Sequence, residues 1–224
     1  MSARRSRVPG GDGGSHGGLG DGFHDGVQAG ERARGAAAGC EGGSLCRGTT
    51  GTVFRAGNAA ARVLLVGEEP GDREDRRGEP FVGPAGRLLT RAMDEAGIDP
   101  DDTYVTNAVK HFTFTRSGGG RRRIHRPPSL RELTACGPWL EAEPREVDPD
   151  VVVALGASAG KAPLGSSFRV TRERGYRRGL PGREGTALVA TVHPSAVLRA
   201  GEDRDAVYPG LVADPRVAAE ALND

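Results

Sequence analysis

The chain has 224 residues, and its 31 lysines and arginines against 30 aspartates and glutamates leave a net charge of +1. This balance gives no general argument for a polyanionic partner, so any basic surface must be local. The longest apolar runs, at 63–66 and 151–155, are far shorter than the roughly 20 residues that cross a bilayer. The basic residues near the start are not followed by the apolar stretch of a secretory signal. We therefore expect a cytoplasmic protein that does not span a membrane.

Glycine divides the chain into two parts. Ten of the 36 glycines fall within the first 30 residues. Such a segment cannot bury enough apolar area to offset the entropy lost on ordering. We expect a flexible tail at 1–36 and one domain at 37–224, a length that is ample for a single core.

Strand and helix patterns alternate after the tail. Runs of β-branched or aliphatic residues at 62–66, 103–107, 151–155 and 187–191 are typical of strands buried on both faces. Helical spacing covers 84–96, and Ser129 and Glu132 have the capping-box spacing that predicts the start of another helix. The alternation favours an α/β fold with three layers, α/β/α, around a central, mainly parallel four-stranded sheet.

Residues able to carry chemistry follow three of these strands, at the end where such folds bind ligands. Glu68 and Glu69 follow the first strand in a stretch rich in glycine and proline that also contains Phe81. Asn107 ends the second strand, and His193 follows the fourth. Taken singly, each has an alternative interpretation: a solvated acidic loop with a core phenylalanine, a turn-forming asparagine and a partly buried histidine.

The segment at 116–126 is locally basic. It places four arginines around His125 after three consecutive glycines, in a chain that is otherwise close to neutral. A flexible basic loop of this kind suits phosphate groups. The alternative is a solvated run of charge.

Five short motifs occur together, at 67–71 (GEEPG), 80–86 (PFVGPAG), 106–112 (TNAVKHF), 121–125 (RRRIH) and 193–195 (HPS). In this order they resemble the uracil-DNA glycosylase superfamily and, within it, the UdgX branch, which is related to the iron–sulfur family 4. The resemblance extends over about 40–199. It implies a uracil-DNA glycosylase-like fold and a monomer that acts on uracil-containing DNA, with single strands preferred.

The resemblance also implies how a flipped-out uracil would be held. The base would stack on Phe81, and Asn107 would read its Watson–Crick edge, with Gly67 and Glu69 completing the pocket. Glu69 stands where the UdgX branch commonly has glutamine, so one of two adjacent carboxylates should bind a proton more tightly.

The catalytic roles come from the same resemblance. His193 would stabilise the negative charge that develops on uracil O2, and Glu68 would stabilise the sugar cation or activate the group that attacks it. In the UdgX branch the loop histidine, here His125, attacks C1′ and stays attached, which leaves a dead-end protein–DNA adduct. The residues expected to contact DNA are Arg121, Arg122, Arg123, Ser195 and Arg199.

Two other functions stay open at this point. One is a turnover glycosylase in which His125 only contacts phosphate. The other is a non-catalytic DNA-binding homologue, which would bind with a strong salt dependence but would neither release uracil nor form an adduct.

The family's 4Fe–4S cluster is only partly matched. Cys40, His111 and Cys136 match three ligand positions, whereas Gly43 replaces the second cysteine of the Cys-x2-Cys pair. Cys46, three residues further on, would supply the fourth ligand if the loop bends, since histidine and thiolate can share such clusters. The alternative is a degenerate site whose thiols pack as small apolar groups.

Overall fold

The computed structural model describes residues 49–117 and 122–224. The predicted tail, Cys40, Cys46 and Arg121 lie outside the described residues, and the division of the chain near residue 36 stays a prediction. No helix within the described ranges is both long and apolar enough to cross a membrane.

Strands and helices alternate along the described chain, as the sequence pattern predicts. The strands are β1 Ala56–Gly57, β2 Val63–Gly67, β3 Thr103–Asn107, β4 Phe114–Ser117, β5 Arg122–His125, β6 Val151–Leu155, β7 Arg178–Gly179 and β8 Ala187–Thr191. The helices are α1 Asp72–Arg77, α2 Pro84–Glu95, α3 Leu130–Val147, α4 Gly156–Leu164, α5 Val170–Glu173, α6 Pro194–Arg199 and α7 Arg204–Ala221. Two short 3-10 turns cover Pro100–Asp102 and Gly201–Asp203.

The central sheet has the strand order β1-β3-β2-β6-β8-β7. Its four inner strands are parallel and are the four that the sequence predicts. The two-residue strands β1 and β7 add antiparallel pairs at the edges, so the sheet has six strands and not four. All four inner strands are buried along their whole length, as expected for strands covered on both faces.

Helices cover both faces of the sheet. Because side chains alternate along a strand, Leu65 packs on one side with Leu89 of α2 and Leu211 of α7, whereas Leu64 packs on the other with Val147 of α3. The result is the predicted three-layer α/β/α arrangement. It brings the carboxyl ends of β2, β3 and β8 to one edge, where the motifs lie.

The basic segment forms a hairpin and not a loop. Strand β5 pairs antiparallel with β4, and the register places His125 opposite Phe114. This hairpin is a separate two-stranded sheet. It holds His125 on a regular backbone, which the glycine-rich sequence did not predict.

Candidate active site

A cleft of about 940 Å³ opens beyond the carboxyl ends of the central strands. Its lining contains eight of the predicted site residues, seven of them from the five motifs and the eighth Arg199: Glu68, Glu69, Phe81, Asn107, His125, His193, Ser195 and Arg199. The fold therefore assembles residues that are up to 131 positions apart in the chain.

The floor of the cleft is an aromatic ring held in an unusual backbone conformation. Phe81 has a φ of 57° and is 9% exposed, so it belongs to the core and to the cleft at once. A Cβ on Gly86 would lie 1.6 Å from the carbonyl oxygen of Phe81, and one on Gly67 would lie 2.7 Å from Cζ of its ring. Both positions therefore require glycine, and the ring lies close against the end of β2.

Asn107 presents a buried polar atom without a protein partner. The residue is 1% exposed, and its Oδ1 has no hydrogen-bond donor among the described residues. That oxygen would lie only 2.2 Å from a Cβ placed on Gly67, so the Asn107 amide fits here because residue 67 is glycine. Since an unsatisfied buried acceptor is costly, a ligand donor is the natural partner for this atom.

His193 is arranged as a neutral hydrogen-bond donor. Its Nδ1 accepts the backbone N–H of Ser195 at 3.1 Å, so in the neutral ring the proton must sit on Nε2. Burial, helped by the positive charge of Arg199, lowers the pKa of His193 to about 4. Nε2 is itself buried, and no residue of 49–117 or 122–224 forms a hydrogen bond with it. The ring therefore offers an uncharged N–H at neutral pH.

Glu69 and His125 form a close pair at the edge of the cleft. Nε2 of His125 lies 2.6 Å from Oε1 of Glu69, whose side chain is fully buried. The other oxygen of Glu69 accepts the backbone N–H of Thr113 at 3.1 Å and also its hydroxyl. Burial raises the pKa of Glu69, and the bond from Glu69 raises the pKa of His125.

Glu68 lies close to the Glu69–His125 pair. One carboxylate oxygen from each of Glu68 and Glu69 and one ring nitrogen of His125 all lie within 4.8 Å of one another. Glu68 is less buried than Glu69. Glu68 therefore leaves a carboxylate at the cleft that is not part of the Glu69–His125 contact.

Arg123 is placed differently from a phosphate-binding side chain. Its guanidinium contacts Asp72 at 2.6 Å and Asp75 at 2.5 Å, and it lies over the rings of Phe112 and Phe114. Its side chain is only 11% exposed. Arg123 thus fastens the hairpin to α1, and its predicted contact with DNA stays untested.

The remaining DNA-contact predictions divide by location. Arg122 is exposed on β5 and is not among the residues that line the cleft. Ser195 and Arg199, both on α6, line the cleft itself.

Sequence reasoning missed three residues that hold Arg123 and Glu69 in place. Asp72 and Asp75 bind Arg123, and Thr113 holds Glu69. The available signal was the spacing of the two aspartates, which puts both on one side of α1. Thr113 gave no signal, because it follows the TNAVKHF motif without belonging to it.

His111 and Cys136 are the two predicted cluster ligands within the described residues. Neither buried ring nitrogen of His111 has a hydrogen bond of good geometry among the described residues, although the ring lies near the backbone of Gly51. Burial lowers the pKa of His111 more than Gly51 raises it. Cys136 is fully buried and packs against Val109, two residues from His111. An imidazole and a buried thiol are both donor types that a metal cluster accepts, so these two residues fit the proposed ligand set.

Comparison with known proteins identifies the family of the chain. The family model of the uracil DNA glycosylase superfamily matches residues 54–213. The chain therefore belongs to this superfamily of glycosylase enzymes, which confirms the prediction at that level, whereas the UdgX branch stays a prediction.

The relatives include enzymes of two types of the superfamily. A type-4 uracil-DNA glycosylase of Thermotoga maritima is 40% identical over 151 residues, which cover 67% of this chain and 73% of the relative. A type-4 enzyme of Sulfurisphaera tokodaii is 34% identical over 165 residues, 71% of each chain. A type-5 enzyme of Pyrobaculum aerophilum is 29% identical over 155 residues, covering 62% of this chain and 63% of the relative.

Proposed function

We propose that this protein excises uracil from DNA after flipping the nucleotide into the cleft. The observation that carries the proposal is the pair of buried, unpartnered polar atoms, Asn107 Oδ1 and His193 Nε2, in one cleft with the ring of Phe81. A uracil stacked on Phe81 would donate its N3–H to Asn107. Single-stranded DNA is the preferred substrate, because less stacking is lost when the base leaves the strand.

Cleavage of the glycosidic bond would follow from the same geometry. As the C1′–N1 bond breaks, its electron pair moves onto the uracil, and the Nε2–H of His193 stabilises the charge on O2. A neutral donor in a dry site acts without losing its own proton. Glu68, which lines the same cleft, stabilises the positive charge left on the sugar.

We further propose that His125 captures the sugar. A ring nitrogen of the neutral imidazole forms a bond to C1′ with its lone pair, after the uracil has left with the electrons of the C1′–N1 bond. The resulting imidazolium then passes its N–H proton to the neighbouring Glu69 carboxylate. A neutral N-alkylimidazole is a poor leaving group, so the adduct persists. The proposal is supported by the position of His125, which lines the cleft next to Glu68 and Glu69. All the acting groups come from one chain, so a monomer suffices.

A turnover glycosylase is the second candidate, and two observations favour it. Relatives with up to 40% identity carry the name type-4 uracil-DNA glycosylase. In addition, the Glu69 contact raises the pKa of His125, and a protonated ring cannot attack. In this mechanism water attacks C1′ and the enzyme is released.

Counting uracil tests both mechanisms. Self-capture limits release to one uracil per protein, whereas turnover exceeds one. A protein that binds DNA but releases no uracil and forms no adduct would contradict the proposed excision altogether.

We propose, finally, that Cys40, Cys46, His111 and Cys136 hold a 4Fe–4S cluster. The support is the buried imidazole of His111 and the buried thiol of Cys136. A cluster there would cross-link the amino-terminal segment, the end of β3 and α3.

A further inference from the structure

A buried ammonium group lies against the backbone that carries Asn107. Lys110 has no exposed surface, and a charge is kept in such a place only when it is paired and hydrogen-bonded. Its Nζ donates to Thr106 Oγ1 at 2.6 Å, to the carbonyl oxygen of Asn107 at 2.8 Å and to Glu143 Oε2 at 2.7 Å. Each of the three N–H groups of the ammonium therefore donates one hydrogen bond.

Glu143 supplies the opposite charge from α3. It is 7% exposed, and its Oε1 accepts the hydroxyl of Thr106 at 2.9 Å. One carboxylate thus binds both the residue before Asn107 and the ammonium that holds Asn107. Apolar side chains of similar volume often stabilise a core as well as a buried ion pair does. The bond to the Asn107 carbonyl therefore suggests a role beyond stability.

We propose that Lys110, held by Glu143, is a positioning residue for Asn107, a proposal that rests on the function of Asn107 as the reader of uracil. The Asn107 peptide is fixed from two directions. Lys110 binds its carbonyl, while the amides of the next two residues, Ala108 and Val109, donate to Gly67 O at 2.8 Å and Glu68 O at 3.0 Å. A recognition amide has to be placed to within about 0.5 Å, and this clamp provides that placement.

The test is a double-mutant cycle on single-turnover uracil excision. Lys110→Met and Glu143→Leu are introduced together, so that no unpaired charge stays buried. We expect the rate at saturating protein to fall by roughly 10- to 100-fold. In an Asn107→Ala background the same two substitutions should cost less than about threefold, because the group they position is already gone. An equal loss in both backgrounds would overturn the proposal.

A matched control is available on the same helix. Arg55 bonds Glu146 of α3 at 2.9 Å and the hydroxyl of Tyr104 at 2.7 Å, so this pair also joins α3 to the sheet but does not touch Asn107. Arg55→Met with Glu146→Leu should leave the excision rate unchanged, whatever it does to the melting temperature. A loss as large as that of the Lys110 variant would assign the effect to general destabilisation and contradict positioning.

Amide hydrogen exchange in the DNA-free protein separates this proposal from the proposed function. The Lys110 and Glu143 substitutions should speed exchange of the Ala108 and Val109 amides by roughly tenfold, and the control should not. If the wild type neither releases uracil nor forms an adduct, the proposed function is wrong, but the hydrogen-exchange rates still test whether Lys110 positions Asn107. Unchanged exchange of these amides in the Lys110 and Glu143 variant would overturn the positioning proposal.

Discussion

Nε2 of His125 lies 2.6 Å from Oε1 of Glu69, which joins the proposed nucleophile to a carboxylate that is fully buried. The two side chains influence each other's protons. Burial raises the pKa of Glu69, and the negative form of Glu69 raises the pKa of His125. A ring held in this way is protonated to a higher pH than free imidazole, so the same contact orients His125 and restrains its chemistry.

Glu69→Gln should move the pH dependence of adduct formation to lower pH. Capture needs the neutral ring, so in the wild type its rate should rise with pH through a midpoint above the ordinary histidine value of about 6.5. Glutamine removes the charge behind the largest cause of the raised pKa, which leaves burial to lower the pKa, with weaker effects of Glu68, which raises it, and Arg199, which lowers it. Rates of adduct formation measured between about pH 5.5 and 8.5 test this.

Titration of His193 should not contribute to this pH dependence, because its pKa of about 4 keeps the ring neutral between about pH 5.5 and 8.5. Equal midpoints for the wild type and Glu69→Gln would show that the contact does not control capture.

Gly67→Ala should abolish uracil recognition while leaving the fold in place. The new methyl group would lie 2.2 Å from Asn107 Oδ1 and 2.7 Å from the ring of Phe81, so both must move. A displacement of this size should lower the excision rate by about 100-fold or more. Gly137→Ala on α3 is the control, since a Cβ there meets nothing within 4 Å. Comparable rates for the two variants would contradict the proposed pocket floor.

The arginines of the hairpin should give different phenotypes. Arg122 is exposed, and if it contacts one phosphate, Arg122→Ala should reduce the slope of log K against log salt by about 0.7 for a single strand. Arg123→Ala should instead destabilise the fold by about 3 kcal/mol, because the buried Asp75 loses its cation and keeps only hydrogen bonds from Thr50. Salt titrations and urea unfolding of both variants separate the roles. A lowered salt slope without destabilisation in Arg123→Ala would assign Arg123 to DNA.

The proposed cluster has a visible signature. Protein purified without oxygen should be brown, and Cys46→Ala should remove the visible absorption. His111→Ala should also remove it, since neither of its ring nitrogens has a hydrogen bond of good geometry in the described chain. A colourless, folded wild type prepared in the same way would refute the cluster.

The sequence predicts the layers of this fold well, because strands and helices are indicated by patterns within short stretches of the chain. The four buried strands are apolar along their whole length, and the capping box of Ser129 and Glu132 is present at the start of α3. Strands of two residues, such as β1, carry no detectable periodicity. Helix α7 was also missed, because Pro209 and Pro215 interrupt its pattern.

The site could be predicted residue by residue but not contact by contact. The motifs identified Asn107 and His193, yet their unpartnered atoms depend on how separate strands meet. The Arg123 contacts with Asp72 and Asp75 join positions about 50 residues apart, and no short pattern reports such a pair. Lys110 gave no signal either, because a lysine next to a strand is ordinarily solvated.

The most direct measurement of the central claim is a denaturing gel of the full chain incubated with single-stranded DNA that contains one uracil. We predict a shifted protein–DNA band for the wild type, and none with thymine in place of uracil or with His125→Ala. The His125→Ala variant should release uracil slowly, since water can occupy the vacated space. If the wild type gives no shifted band while releasing more than one uracil per protein, the capture mechanism is wrong and the protein is a turnover glycosylase.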